Sequence, residues 1–270
     1  MVATPIGNLG DLSPRAIETL KSATVIACED TRVTGGLLHR FAIATPMMAY
    51  HDHNADAVRP RILERLAAGE TIALVSDAGT PLISDPGFKL VAACAEHGIA
   101  VTPIPGPSAP MAALMGAGLP TDQFYFGGFL PNKTSARQKA LEQLKPLTCS
   151  LVFFESPHRV ADTLTDMNKV FGDRPAVVAR EITKLHEEFR RGTLSELSAH
   201  YAERETKGEI VIVLAGAQEP RPGEEIDLDQ ALQDALTTMS VRDSADEVAK
   251  LTGLPRRDVY ARALALTRKP

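Results

Sequence analysis

The 270-residue sequence has no tryptophan, only three cysteines and no long apolar run. Cys28, Cys94 and Cys149 lie far apart and form no Cys-x-x-Cys pair, which argues against a disulfide framework or a zinc ribbon. No window approaches the roughly 18 to 20 apolar residues of a membrane helix, and the first residues lack the basic segment of a signal peptide. We therefore expect a cytoplasmic protein with no membrane contact.

Several motifs of common enzyme classes are also missing. The sequence contains no G-x-G-x-x-G, which excludes the dinucleotide fingerprint and the glycine loop of Rossmann methyltransferases. Residues 127–134 approach a phosphate-binding loop, but Asn132 stands where a glycine must precede the lysine. H-E-x-x-H and G-x-S-x-G are absent as well, which argues against zinc hydrolases and α/β-hydrolases.

The charge is unevenly distributed along the chain. The net charge of −5 argues against a protein that coats nucleic acid through overall positive charge. Residues 250–270, however, hold six basic side chains and one acidic side chain. The chain therefore ends in a locally basic segment.

Short, continuous apolar runs alternate with helix-length amphipathic stretches, which predicts an α/β fold with strands covered on both faces. The clearest strands are 72–75, 151–154, 176–179 and 210–214, and a shorter one is expected at 99–102. Small residues and a proline near 116–120, and a Pro- and acid-rich stretch from 216 to 227, indicate boundaries. We predict an N-terminal α/β domain (1–119), a second α/β domain (120–217) and a small helical domain (225–270).

Three glycine- and proline-rich loops follow predicted strands, at 4–13, 76–87 and 103–109. Open α/β sheets build ligand sites where their strands end, and glycine lets the backbone approach a ligand closely. A single loop of this kind reads as a tight turn. Three behind one sheet favour a ligand cleft.

These loops occur together with Glu29–Arg32, His51–Asn54, Gly128–Pro131, Glu155–Arg159, Ala179–Glu181 and Lys207–Glu209. The combination resembles the tetrapyrrole methylase superfamily, and within it is most similar to the bacterial 16S rRNA cytidine 2'-O-ribose methyltransferases. The resemblance covers nearly the whole chain. It implies two α/β domains with a cleft between them for S-adenosylmethionine, a homodimer, and 16S rRNA of the small ribosomal subunit as the substrate.

The resemblance also implies which residues meet the cofactor. Gly79-Thr80-Pro81 occupies the place of a Gly-Asp-Pro in tetrapyrrole methylases, so Thr80 lacks a carboxylate and a porphyrin-like substrate is less expected. Asp77 is then the nearest anionic partner for the cofactor's amino group. Only three residues precede the first loop, fewer than a full strand needs. The implied cofactor residues are Pro5, Asp77, Gly79, Thr80, Pro81, Ile83, Ser108, Ala109 and Phe154.

If the resemblance holds, polar residues of the second half carry the reaction. The catalytic candidates are Glu155, Arg159, Glu181 and Lys184. Cations at strand ends suit RNA phosphates, whereas a carboxylate could orient the ribose hydroxyl. A carboxylate among cations should have a lowered pKa and act as a hydrogen-bond acceptor more than as a base. The alternative is structural: Ser156 caps a helix, and Arg180 and Glu181 form an ion pair.

Two further segments have alternative interpretations. His51 and His53 could share one face of a strand as metal ligands, but no third ligand is nearby, so a turn capped by Asn54 is the stronger interpretation and we predict no metal. Glu29–Arg32 either caps a helix or forms a wall of the cleft.

The tail fits a helix-turn-helix pattern with Ala249, Gly253 and Val259 as its small, turn and buried residues. Arg256, Arg257 and Arg262 could then face a phosphate backbone, or they could be solvated residues of a small helical cap.

Three functions remain: an rRNA ribose methyltransferase, a methylase of corrinoid or porphyrin precursors, and a DNA-binding regulator. The family resemblance and the tail favour the first. An acidic chain with one short helical motif is a poor duplex binder, which weakens the third.

Overall fold

The computed structural model describes residues 1–84, 87–218, 228–237 and 239–267. The chain divides into two units, Met1–Ala217 and Gln218–Pro270. The first unit contains two β-sheets with helices on their faces, and the second contains three helices. The predicted α/β class with a helical C-terminal part is therefore confirmed.

The first sheet is parallel, with strand order β2-β1-β3. All four residues of its central strand are buried, as expected for a short apolar run covered on both faces. Helices α1 and α2 share one apolar cluster with the sheet, and α3 and α4 share another. The elements are β1 (Val25–Cys28), β2 (Met47–Ala49), β3 (Ile72–Leu74), α1 (Pro14–Ser22), α2 (Thr31–Arg40), α3 (Ala55–Ala67) and α4 (Phe88–Glu96).

The chain start pairs with this sheet over very few residues. The Val2 amide donates to the Leu74 carbonyl (2.9 Å), and the Ala3 amide donates to the Ile104 carbonyl (3.2 Å). Thr4 already leaves to pair with Gly79. The prediction of a strand at 99–102 is therefore wrong. Because Thr4 already pairs with Gly79, only a single bridge forms on this side of the sheet, between Val2 and Ile104.

The second sheet is mixed, with strand order β4-β5-β8-β6-β7. β4 and β5 are parallel, whereas β8 runs antiparallel to both β5 and β6, and β7 runs antiparallel to β6. The elements are β4 (Phe124–Phe129), β5 (Ser150–Glu155), β6 (Pro175–Arg180), β7 (Glu188–Thr193), β8 (Ile210–Leu214), α5 (Ala109–Ala117), α6 (Thr134–Leu144), α7 (Val160–Phe171) and α8 (Leu194–Ala202).

Alternate residues of these strands face opposite helix layers, as the two-residue period of a strand requires. Val152, Val177 and Val211 pack with α5 on one face. Leu151 and Ile212 belong to the larger cluster with α6, α7 and α8 on the other face. Helix α5 precedes the boundary predicted near residue 119 yet packs on the second sheet. The division at 119 stays a prediction.

The C-terminal unit consists of α9 (Leu228–Leu236), α10 (Val241–Thr252) and α11 (Arg256–Thr267). Gly253, with φ of +68°, ends α10 in the left-handed conformation that glycine favours, and Val259 is fully buried, as the helix-turn-helix pattern predicts. The predicted start of this domain at residue 225 lies outside the described residues.

The three arginines of this unit that were proposed to bind phosphate all lie close to carboxylates. Arg256 forms an ion pair with Asp246, and Arg262 forms one with Asp229. Residues 228–267 carry five basic and six acidic side chains. Two of the three proposed phosphate-binding arginines therefore link helices through ion pairs while staying about half exposed, whereas the Arg257 side chain is 95% exposed and lies 3.5 Å from its neighbour Asp258.

Candidate active site

A cleft of about 380 Å³ lies between the two sheets, where β3 and β5 end and β8 begins. Its size falls within the range of small-molecule sites. The lining is largely apolar, with side chains or backbone of Ile6, Ala78, Gly79, Thr80, Ile83, Ser84, Ser108, Ala109, Pro110, Phe129, Phe154, Glu155, Ser156, Pro157, Ile182, Gly208, Glu209, Ile210 and Val211.

Most of the implied cofactor residues reach this cleft. Six of them line it: Gly79, Thr80, Ile83, Ser108, Ala109 and Phe154. Pro5 and Pro81 are buried and do not appear in the lining. Asp77 also lies outside the lining, and its Oδ1 accepts a hydrogen bond from the Asp30 amide (3.0 Å). Asp77 therefore links the segment that follows β3 to the segment that follows β1.

The contacts of Asp30 decide whether the segment 29–32 caps a helix or forms a wall of the cleft. Its carboxylate accepts from the Arg32 amide (2.8 Å) and from the Arg32 guanidinium, and these bonds lower the pKa of Asp30 to about 2. Asp30 is therefore the N-cap of α2, and the segment does not line the cleft.

The three loops are bonded into one wall. Thr4 and Gly79 exchange backbone hydrogen bonds (2.9 and 3.1 Å), and the Thr80 hydroxyl donates to the Pro107 carbonyl (2.9 Å). Gly79 has φ of +80°, and a Cβ there would lie 3.2 Å from Ile6 Cγ2. Thr80 thus joins the second loop to the third.

Glu155 lines the cleft, but its carboxylate is engaged by its own chain. The side chain is fully buried, Oε1 accepts from the Ser156 amide (2.7 Å), and Oε2 accepts from the Thr163 hydroxyl (2.6 Å). Arg159 Nη2 lies 3.5 Å from Oε2. These contacts fix the turn that enters α7, a role that the sequence analysis gave to Ser156.

Arg159 is turned toward the segment after β4. Its guanidinium donates to the carbonyls of Leu130 (2.9 Å) and Pro131 (3.2 Å) and to Asn132 Oδ1 (2.5 Å). Arg159 is not among the lining residues. The structure therefore places it as a clamp on one wall of the cleft.

Glu181, Lys184 and Glu209 form a charged group, called here the rim triad. Lys184 Nζ donates to Glu181 (2.9 Å) and to Glu209 (3.0 Å), and the Glu209 amide also donates to Glu181 (2.9 Å). The hydrogen bond from Lys184 is the main reason why the pKa of Glu181 is lowered. Burial lowers the pKa of Lys184, but its two carboxylate partners outweigh that and raise it. Both side chains are therefore charged at neutral pH.

The predicted Arg180–Glu181 ion pair is not what the structure holds. Arg180 pairs with Glu188 across β6 and β7 (3.2 Å), while Glu181 adopts φ of +51° and turns toward Lys184. Of the rim triad, only Glu209 lines the cleft.

Gly208 to Val211 line the cleft although they were not predicted from the sequence. Ligand sites were expected at the carboxyl ends of strands, whereas β8 is antiparallel, so that its first residue, Ile210, lies opposite Glu155 and Arg180. The segment Lys207–Glu209 directly before this strand was the available signal. Phe129 was missed because an irregularity in β4 reorients it.

The first loop also touches the β6–β7 connection. The Asn8 amide donates to the Thr183 hydroxyl (3.1 Å), and the stem of Lys184 lies against Gly7, where a Cβ would come within 2.5 Å of Lys184 Cγ. Loops from the two sheets therefore meet directly beside the rim triad.

His51 lies in a turn. Its amide donates to Asn54 Oδ1 (2.9 Å), and its Nδ1 is buried without a hydrogen-bond partner. Within the described ranges, no group of three or more His, Cys, Asp or Glu side chains is arranged to hold a metal ion. In the same part of the chain, no helix has the length and apolarity needed to cross a membrane.

Comparison with known proteins gives consistent matches. Residues 1–198 match the tetrapyrrole (corrin/porphyrin) methylases, and residues 222–267 match the RsmI C-terminal HTH domain. The ribosomal RNA small subunit methyltransferase I of Mesorhizobium japonicum is 49% identical over 98% of this chain and 91% of its own length. The protein of the same name from Synechocystis sp. is 49% identical over 98% of this chain and 97% of its own length.

Solved structures show the same fold at low identity. Diphthine synthase aligns with a TM-score of 0.61 and 16% identity over 79% of this chain and 88% of its own. Uroporphyrin-III C-methyltransferase from Thermus thermophilus, complexed with S-adenosyl homocysteine, aligns with a TM-score of 0.55 and 18% identity over 79% of this chain and 95% of its own.

Proposed function

The chain belongs to the tetrapyrrole methylase family and, within it, to the relatives named ribosomal RNA small subunit methyltransferase I, and on that premise we propose that it methylates the 2'-oxygen of a cytidine in 16S rRNA with S-adenosylmethionine as the donor. The observation that carries the proposal is similarity at 49% identity across 98% of the chain, tail included, combined with a cleft at the strand ends.

The residues of the cleft fit this cofactor. Gly79, with φ of +80° and no side chain, leaves the backbone of the second loop open to a ligand. Phe154, Ile182 and Val211 offer apolar surface for a purine. We propose Gly79, Thr80, Ile83, Ser108, Ala109 and Phe154 as direct contacts, with Pro5, Asp77 and Pro81 shaping the loops behind them.

The bound cofactor supplies an electrophilic methyl group on a sulfonium. The ribose oxygen must approach it opposite the sulfur, so the chain's main task is to orient the acceptor nucleotide. The hydroxyl that accepts the methyl group would release its proton to solvent water. The acceptor would approach past the rim triad.

We propose different roles for the four catalytic candidates. Lys184 stays protonated and faces the RNA backbone, while Glu181, with its lowered pKa, accepts a hydrogen bond and takes no proton at neutral pH. Glu155 and Arg159 act as positioning residues, because their polar atoms are engaged at the start of α7 and at Leu130–Asn132.

The test uses the full chain with radiolabelled S-adenosylmethionine and three acceptors: small ribosomal subunits, free 16S rRNA and tetrapyrrole precursors. We expect label only in RNA, resistant to alkaline cleavage at one cytidine. Label in a tetrapyrrole precursor would support the corrinoid or porphyrin alternative and refute the proposal. A Lys184→Gln variant should raise KM for the RNA with little change in cofactor affinity, and wild-type KM would remove Lys184 from the acceptor side.

We further propose a cytoplasmic homodimer. Its support is α5, where Met111 and Met115 lie one turn apart and are 46% and 86% exposed, an apolar surface typical of protein contacts. Light scattering should give twice the chain mass for the wild type and a lower mass for Met115→Lys. A monomeric wild type would refute this part alone.

A further inference from the structure

The edge strand β4 presents an aromatic side chain to the cleft with most of its surface uncovered. Phe129 is 60% exposed and lines the cleft. Among the large apolar lining residues with high exposure, Ile83 reaches only 39%. Phe129 therefore offers apolar ring surface at the mouth of the cleft, which a ligand bound there would cover.

An irregularity in β4 sets the direction of this side chain. Phe126 lies opposite Val152, but Phe129 lies opposite Phe154, so β4 has one residue more than β5 over this stretch. The extra residue brings Phe126 and Phe129 to the same face. Both rings contact Phe154, with centroid distances of 5.1 and 5.3 Å.

Two glycines allow this arrangement. A Cβ on Gly127 would come within 2.5 Å of the Phe153 ring, and Gly128 adopts φ of +59°. A Cβ on Gly128 would also lie 3.2 Å from Ser84 Oγ in the second loop. A side chain at residue 127 would therefore clash with the buried Phe153 ring, and one at residue 128 would be strained by its backbone conformation.

Arg159 fixes the residues that follow Phe129. Its guanidinium holds the Leu130 and Pro131 carbonyls and Asn132 Oδ1, and the Leu130 side chain is buried. Phe129 is thus a ring with two torsions on a clamped backbone, backed by Phe154. Such a pre-ordered ring loses little conformational entropy when a ligand stacks on it.

We propose that Phe129 is the stacking platform for the base of the acceptor nucleotide. This inference rests on the proposed function. Sequence-specific RNA recognition unstacks bases and places them on aromatic side chains, and a flipped base would bring its ribose hydroxyl to the cleft. Lys133, four residues further on, is exposed, so a cation for the adjoining phosphate is available.

The absence of tryptophan from the sequence gives a direct test. Phe129→Trp introduces a single tryptophan, excited selectively at about 295 nm, at the proposed platform. Phe124→Trp introduces one at the other end of β4, where the side chain is 41% exposed but does not line the cleft. Small ribosomal subunits and a cytidine-containing oligoribonucleotide should quench the first and leave the second unchanged, because a stacked base quenches indole emission. Equal quenching of both would overturn the proposal.

Kinetics give the second readout. Phe129→Ala and Phe129→Leu should lower kcat/KM for the subunit roughly 5- to 150-fold, the equivalent of one lost base stack, with cofactor affinity unchanged and activity retained by Phe129→Trp. Phe124→Ala is the matched control. If Phe129→Leu weakened cofactor binding, the ring would be a cofactor contact. If it changed the oligomeric mass, the ring would be a subunit contact. Either result overturns the proposal.

The two proposals fail differently. A wild-type protein that methylates no RNA refutes the proposed function and this inference with it. An active wild type with undiminished Phe129→Ala and Phe129→Leu activity refutes the inference alone.

Discussion

Gly208 offers a sharp test of the rim triad. Its φ is +94°, and a Cβ there would lie 2.5 Å from Glu181 Cδ and 2.6 Å from Glu181 Oε1. Gly208→Ala must therefore push the Glu181 carboxylate away from Lys184 Nζ and the Glu209 amide. Gly69 is the matched control, since it has φ of +88° and nothing within 4 Å of its added Cβ.

The expected magnitudes follow from these two environments. Gly69→Ala should cost about 1–2 kcal/mol, the strain of a left-handed alanine. Gly208→Ala should cost the same strain plus two charge-assisted hydrogen bonds, about 2–4 kcal/mol more after allowance for their partial exposure. At about 2–4 °C per kcal/mol, its Tm should fall some 4–16 °C further than that of the control.

The pH dependence gives an independent check. Glu181 has its pKa lowered from 4.5 in the folded protein, so its contribution is present above about pH 4.5 and is lost as the pH falls through the lowered value. The stability difference between wild type and Gly208→Ala should therefore shrink below pH 4.5. The difference between wild type and Gly69→Ala should not.

A double-mutant cycle decides the mechanism. In a Glu181→Ala background the clashing carboxylate is gone, so Gly208→Ala should cost no more than Gly69→Ala. Thermal unfolding of the four proteins provides the measurement. An unchanged cost of Gly208→Ala in that background would refute the displacement of Glu181 as its cause.

Three further predictions concern other parts of the molecule. Gly79→Leu should abolish S-adenosylmethionine binding in calorimetry while Gly98→Leu, with similar backbone strain outside the cleft, binds normally; equal binding by both would remove the second loop from the site. Thr163→Val should lower the free energy of unfolding by about 1–3 kcal/mol, because Glu155 Oε2 loses its buried donor, and a neutral effect in urea unfolding would contradict that. Arg257→Ala should weaken binding to small subunits without loss of stability, whereas Arg262→Ala should destabilise the helical unit; the reverse pattern in filter binding and melting would reject these assignments.

The sequence was informative about the loops of the cleft. Gly79, Thr80 and Ser108 follow parallel strands or their short bridge, and the carboxyl ends of parallel strands meet at one edge. The glycine- and proline-rich loops therefore identified residues that the fold brings together. The apolar runs likewise placed four strands, at 72–75, 151–154, 176–179 and 210–214, within one residue of their observed bounds.

Contacts between segments that are distant in sequence could not be predicted in this way. Whether Glu155 is free or bonded depends on how α7 packs, which places Thr163 eight residues away against its carboxylate. The direction of β8 follows from its pairing with β5 and β6. The five apolar residues of β8 do not by themselves indicate whether it runs parallel or antiparallel to its neighbours. The orientation of Phe129 likewise depends on a register shift against another strand.

The meeting of the first loop with the β6–β7 connection has a thermodynamic consequence. Asn8 bonds Thr183, and Thr4 in the same loop bonds Gly79, so one short segment bridges the cofactor wall and the rim triad. A ligand that shifts one end of this segment would strain the hydrogen bonds at its other end. We expect cofactor and RNA affinities to be reciprocally coupled, each ligand altering the other's dissociation constant by the same factor, with Asn8 and Thr183 carrying the coupling.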